Sequence, residues 1–277
     1  MCDLCVIESV KNRMLSERRL SRRQLFRRSA AALAVGAIGS AVAPSALAGG
    51  HGGVEDMTYD LYHEFPTYFG VPGFEAEQVY NYAEHKFNLF TLSLNEHTGT
   101  HIDAPLHFSG DGHAVNEIPV GNLVVPLCVI DIAARAAEDP DAQVTPDDIA
   151  AYTAKHGPIP DNACVAMHSG WGQHVTTEKY RNVDGDGVMH FPGFHIEAAE
   201  MLMDETGAAA MAVDTLSLDH GKSTDFATHY AWLPTNRYGI ENLANLDRVP
   251  AAGATLVVGA PKHRGGSGGP ARIFAMV

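Results

Sequence analysis

Seven short apolar runs set the limits on what residues 88–277 can become: NLFTLSL, LVVPLCVIDI, ACVAMHS, AAMAVDTLSL, YGIENL, ATLVVGAP and ARIFAMV. Each has strand length, and several are bounded by Gly or Pro. A strand with one wet face alternates apolar and polar residues. These runs are nearly continuous, which predicts strands covered on both faces or packed into a closed sheet. Helices separate some of them. Thr145-Pro146-Asp147-Asp148-Ile149 places a capping hydroxyl before a proline in the first turn. Phe194-His195-Ile196-Glu197 opens a second helix, which runs through Glu205 and stops near Gly207. Residues 51–80 are rich in Tyr, Phe and Pro with little periodicity, as in an extended arm or lid. Residues 54–277 show no internal repeat and no break in composition. The expectation is a single α/β domain over 58–277, with a mixed, partly closed β-sheet flanked by helices.

The first 48 residues read differently. Arg22-Arg23 and Arg27-Arg28 precede the nearly uncharged SAAALAVGAIGSAVAPSALA, which closes on Ala46-Leu47-Ala48. Paired arginines, a mildly apolar run and a small-x-small site form the pattern of a twin-arginine export signal. The run is rich in Ala and Gly and contains Pro44, so it suits a bilayer poorly and predicts no stable membrane anchor. Residues 1–48 are read as the signal and 49–57 as a linker, with delivery to the periplasm or beyond the cell. The signal holds eight Lys/Arg and three acids, so residues 49–277 keep 11 basic and 30 acidic residues, a formal net charge of −19. Such a surface repels phosphate backbones and argues against a nucleic-acid partner. Cys2-x-x-Cys5 lies ahead of the signal and has no second pair, so it predicts no structural zinc site. Cys128 and Cys164 sit in apolar runs and read as buried free thiols, although an oxidising compartment would permit a disulfide.

The chemistry concentrates in His97-Thr98-Gly99-Thr100-His101-Ile102-Asp103-Ala104-Pro105-Leu106-His107-Phe108. Gly99 and Pro105 disfavour a helix. In an extended chain, residues two apart share a face. His97, His101, Asp103 and His107 would then line one side, with Ile102, Leu106 and Phe108 on the other. Pro105 confines the segment to a sheet edge or strand end. Imidazole with carboxylate suits Zn²⁺, Mn²⁺ or Fe²⁺. Fifteen histidines could also scatter over a surface, but three with an acid inside eleven residues, beside Gly and Pro, are hard to assign to chance.

That segment resembles the signature of the metal-dependent cyclase family, which includes bacterial kynurenine formamidases and isatin hydrolases. DLYHEFP at 60–66, VDTLSLDHG at 213–221, GIENLANLDRVP at 239–250 and APKHRGGSGGPARIFA near the C-terminus resemble further blocks of the same family. The resemblance implies a swivelling β/β/α fold, metal ligation by His97, His101 and Asp103, and an acid/base role for His107. It further implies that His229 and Glu241 complete the site, which would hold one or two Zn²⁺ or Mn²⁺ ions per chain, and that the chain is a homodimer. Isatin hydrolases tend to carry an amide side chain where Glu241 stands, so the sequence departs from that branch. A carboxylate there favours a second metal bridged by Asp103.

Asp214, Ser217 and Asp219 are either ligand-orienting groups or turn formers. Trp171, in His168-Ser169-Gly170-Trp171-Gly172, either stacks on a planar substrate or packs in the core. Gly265-Gly266-Ser267-Gly268-Gly269 lacks the lysine-serine pair and helix of a phosphate loop and reads as a turn before the last strand. Its spacing fits G-x-S-x-G by letter, but it leads into a strand rather than the helix of a nucleophile elbow, so a serine hydrolase of the α/β-hydrolase type is not expected. The expected activity is hydrolysis of a small amide, formamide or lactam C–N bond, with metal-activated water and His107 moving the proton to the leaving nitrogen. An exported, non-catalytic binder of metal or a small ligand is the alternative. An Fe(II) oxygenase built on His101, Asp103 and a distal histidine fits less well, because it leaves His97, His107 and Glu241 without roles.

Overall fold

The computed structural model describes residues 53–277, so the export signal and the start of the 49–57 linker lie outside the described residues. In chain order the strands are β1 (Val54–Asp56), β2 (Phe74–Tyr80), β3 (Leu89–Leu94), β4 (His101–Asp103), β5 (Val124–Asp131), β6 (Gln143–Val144) and β7 (Cys164–His168). They continue with β8 (Gly193–Phe194), β9 (Ala210–Val213), β10 (Tyr238–Glu241), β11 (Ala254–Gly259), β12 (Gly268–Pro270) and β13 (Arg272–Met276). The main sheet has the order β1-β13-β11-β5-β7-β9-β10-β4-β12. Strands β5, β7, β9 and β10 run parallel and their neighbours antiparallel, so the sheet is mixed.

Parallel neighbours need crossovers. Helices α1 (Ala133–Glu138) and α2 (Pro146–His156) lie between β5 and β7; α3 (Ile196–Glu205) precedes β9, and α4 (Ala227–Trp232) joins β9 to β10. Helix α2 starts as its sequence predicts. The Thr145 amide and hydroxyl donate to Asp148 Oδ2 at 2.8 and 2.9 Å, and Arg135 of α1 clasps the same carboxylate at 2.6 and 3.0 Å. Alternation along β5, β7 and β9 sends Cys128, Ile130, Val165, Met167, Met211 and Val213 into one layer beneath α2, α3 and Trp232. The opposite face, with Leu127, Val129, Cys164, Ala166, Ala210 and Ala212, packs against Ile102, Ile240, Leu256 and Ile273. Both faces are therefore dry, which explains the unbroken apolar runs. Cys128 and Cys164 are buried free thiols facing different layers.

The sheet curls on itself. Gly268–Pro270 pairs with β4 at one end of the strand order, while Arg272–Met276 lies between β1 and β11 near the other. One uninterrupted stretch can serve both ends only if they approach each other. A flat sheet would hold β4 and β13 about 29 Å apart, six strand spacings.

Two elements differ from the sequence expectation. The run AAMAVDTLSL is strand only through Val213. From Asp214 onward side-chain bonds replace the ladder: Ser169 donates its N–H and O–H to Asp214, and the Thr215 hydroxyl donates to the Pro192 carbonyl at 3.0 Å. The 49–57 linker also contains β1, which pairs with β13, and Met57 is fully buried. The ordered sheet thus begins at Val54.

Strands β2 and β3 form a separate two-stranded ribbon, joined through a helical turn at Tyr82–His85, and residues 76–92 fall in a different compact unit from the main sheet. Phe90, Leu92 and Leu94, on one face of β3, are all exposed.

Candidate metal centre

Strand β4 carries two of the expected ligands, His101 and Asp103, on one face. Its partner β10 sets Glu241 directly opposite His101. His97 comes from the loop before β4, where Gly99 adopts a left-handed φ of 66° and bends the chain so that His97 folds back over Asp103. His229 enters from α4. Asp219 accepts the amides of Thr228 and His229 at the start of that helix, at 2.9 and 3.1 Å, and also His229 Nδ1–H at 2.6 Å. The five side chains named from sequence meet at one place. The period-two reading accounts for His101 and Asp103 only. His107 reaches the centre from a 3-10 turn over Pro105–Phe108, and β4 is an interior strand ending just before Pro105.

The hydrogen bonds determine which imidazole nitrogens face inward. A neutral histidine has one N–H and one lone pair. His101 Nδ1–H donates to the Gly99 carbonyl at 2.9 Å, leaving Nε2 aimed at Asp103 Oδ1 (3.3 Å) and Glu241 Oε2 (3.4 Å). His229 spends its Nδ1–H on Asp219, leaving Nε2 toward Glu241 Oε1 (3.1 Å) and Asp103 Oδ2 (3.7 Å). His97 Nε2 lies 3.0 Å from the Ser267 hydroxyl, and its Nδ1 is 2.7 Å from Asp103 Oδ1. Asp103 is wholly buried and Glu241 is 6% exposed. His101 Nε2 and Asp103 Oδ2 have no hydrogen-bond partner among the described residues.

Lone pairs pointed at buried carboxylates repel one another unless positive charge lies between them. The titration behaviour says the same. Burial alone would lower His101, yet Asp103 and Glu241 raise it to about 9. His229 is also raised: burial opposes this, but bonds to Asp103, Asp219 and Glu241 prevail. Burial would raise Asp103, but His101, His229 and His97 hold it well below the usual carboxylate range. Glu241 is pushed up by burial and by Asp103. Two carboxylates and three inward lone pairs form a donor set that fits a divalent cation. Two overlapping triads have ligand atoms close enough to share an ion: His97, Asp103 and His107, and His101, Asp103 and Glu241. Asp103 belongs to both.

The His107 ring stacks on His97 with centroids 3.7 Å apart. Burial lowers it to about 4, despite the attraction of Asp103, so it is neutral near pH 7. Beside it opens a cavity of about 350 Å³ walled by Thr67, Tyr68, Phe108, Leu216 and Phe226. Its described lining contains no lysine or arginine.

Of the secondary candidates, Asp219 orients His229, whereas Asp214 is tied to Ser169. Ser217 lines the cavity, and Trp171 is core, packed with Tyr180, Phe191 and Leu216. His168 and Gly172 border a different cavity with Tyr59 and Asp214. The sequence reads Ser267 only as part of a turn and does not single out Glu96; the fold brings Ser267 to His97 and Glu96 to Ser267.

The family model described as "Putative cyclase" matches residues 55–220. An isatin hydrolase of Roseibium aggregatum is 34% identical over 195 residues, covering 67% of this chain and 73% of that protein. A kynurenine formamidase of Salinibacter ruber is 29% identical over 195 residues, 69% of this chain and 81% of that one. Among solved structures, isatin hydrolase A from Labrenzia aggregata bound to benzyl benzoate superimposes with a TM-score of 0.76 at 34% identity, covering 83% of this chain and 96% of that one. An isatin hydrolase bound to the product analogue thioisatinate gives 0.76 at 30% identity, with 82% and 93% covered.

Proposed function

This chain belongs to the cyclase family, and from that premise we propose that it is a metal-dependent hydrolase of the C–N bond in a small aryl amide, formamide or lactam. The observation that carries the reading is the set of inward imidazole lone pairs facing two buried carboxylates. His97, His101, Asp103, His229 and Glu241 would hold one or two ions, Zn²⁺ or Mn²⁺. A divalent cation here would supply a Lewis acid for the carbonyl and lower the pKa of water to near neutral.

The chain's own residues do the rest. Phe108, Phe226 and Tyr68 offer ring faces to a planar substrate, with Phe108 and Phe226 centroids 5.6 Å apart. A lining free of described cations favours a neutral ring over one bearing a carboxylate. His107, neutral and packed between His97 and Phe108, accepts the proton released as water adds to the carbonyl and delivers it to the leaving nitrogen.

Assay of the metal-loaded protein against formanilides, lactams and cyclic imides tests the proposal. Expected is C–N cleavage that a chelator abolishes and Zn²⁺ or Mn²⁺ restores. Turnover that persists after complete metal removal, or a metal-loaded protein inert toward all three classes, would overturn it.

Two further proposals concern the setting. Arg22-Arg23 and the Ala46-Leu47-Ala48 site support export by the twin-arginine route, to the periplasm or beyond. The exposed apolar face of β3 supports a homodimer.

A further inference from the structure

The glycine-rich segment ahead of the last strand closes on His97 of the candidate metal centre. Its backbone is pinned: the Ala104 amide donates to the Ser267 carbonyl at 2.8 Å, Val115 N–H to the Gly266 carbonyl at 2.9 Å, and Gly265 N–H to Asn116 Oδ1 at 2.8 Å. The Ser267 hydroxyl and amide both donate to Glu96 Oε2, at 2.6 and 3.1 Å. The other Glu96 oxygen accepts from His263 Nε2–H.

A carboxylate has no hydrogen to give, so the single Ser267 hydroxyl proton is committed to Glu96. Toward His97 the Ser267 oxygen can then only accept, and the partner 3.0 Å away must be His97 Nε2–H. His97 Nε2 is thereby protonated, and Nδ1, 2.7 Å from Asp103 Oδ1, is the nitrogen that faces the centre. The packing explains the glycines. A Cβ on Gly268 would meet His97 Cε1 at 2.8 Å and the Ile102 carbonyl oxygen at 2.3 Å; one on Gly266 would meet His263 Nε2 at 2.0 Å and Glu96 Oε1 at 2.6 Å. Side chains at either position would displace the residues that hold His97.

We propose that Glu96, Ser267 and His263, seated on Gly266 and Gly268, form a positioning clamp that fixes His97 as its Nε2–H tautomer and so makes Nδ1 the metal donor. The clamp rests on the metal reading for its purpose, but its geometry is measurable without metal. His229 is set by one carboxylate and His101 by one carbonyl; His97 is set by a three-residue chain reaching the surface, where His263 is half exposed.

The test is ¹⁵N-resolved imidazole NMR on metal-free protein, beside chelator-competition titration with Zn²⁺, for wild type, Ser267→Ala, Ser267→Thr and Glu96→Gln. The wild type should carry a proton on His97 Nε2, hydrogen-bonded to Ser267. Ser267→Ala should show a tautomer mixture and bind Zn²⁺ about 10–100-fold more weakly, the range for lost outer partners of metal ligands. Ser267→Thr, which keeps the hydroxyl, should restore both. Thermal unfolding of the metal-free variants separates positioning from folding. If Ser267→Ala lowers the midpoint but leaves the tautomer and the Zn²⁺ affinity intact, the clamp is overturned and the segment is only structural. A wild type that takes no divalent cation refutes the metal reading, and the tautomer measurement then decides the clamp by itself.

Discussion

Each inward-facing histidine of the centre has its single proton engaged on the outside, by Gly99, Asp219 or Ser267. His107 differs, because among the described residues its ring has no hydrogen-bond partner and it is held by ring stacking instead. A residue held by packing can be removed without unpicking a ligand. His107→Ala should therefore keep its metal while kcat falls on the order of 10²–10⁴-fold; loss of metal in that variant, read by elemental analysis, would make His107 a ligand. Glu241 tests the number of ions. Neighbouring cations repel and need compensating anionic charge, and Glu241→Gln removes one such charge at almost constant shape. Metal content after dialysis should fall from near two ions per chain toward one. A wild type with one ion, matched by the variant in affinity and turnover, would confine Glu241 to an outer role.

Elements with strong burial were legible in the sequence and short ones were not. Strands β5 and β7 announce themselves because both faces are dry, and β11 and β13 through apolar runs that alternate buried with part-exposed residues. The three-residue strands β1, β4 and β12 are too brief to display any period, and the ligand segment was found through its side chains and family signature rather than its conformation. Glu96 meets Ser267 across 171 residues, a pairing that no local pattern encodes. Among the loops, Asn182–His190 carries its own fastening: His190 Nδ1–H donates to Asp141 at 3.0 Å and Nε2–H to Asp184 at 3.2 Å. Those bonds, to Asp141 first and Asp184 second, raise His190. A raised folded-state value stabilises fully below the unfolded pKa of about 6.5 and is lost as pH climbs through the folded value. The thermal midpoint of wild type should exceed that of His190→Gln more at about pH 6 than at about pH 9. A gap that does not change with pH would mean the protonated ring contributes nothing.

The whole molecule presents one further surface to test. Phe90, Leu92 and Leu94 lie exposed on one face of β3, so light scattering should find a dimer, and Phe90→Asp with Leu92→Asp should shift it to a monomer. A monomeric wild type would leave that face without the proposed partner. The curled sheet bears on how the protein is made. Gly268–Met276 follows every other strand of the sheet, yet it joins both ends of the strand order and brings Ser267 to His97. A chain still emerging from the ribosome would already carry all five candidate ligands and have no finished pocket for them. Contacts this distant in sequence form late and slowly, so the candidate site would be complete only once Gly268–Met276 has been made, and loading of a half-made chain is disfavoured by the order of its strands.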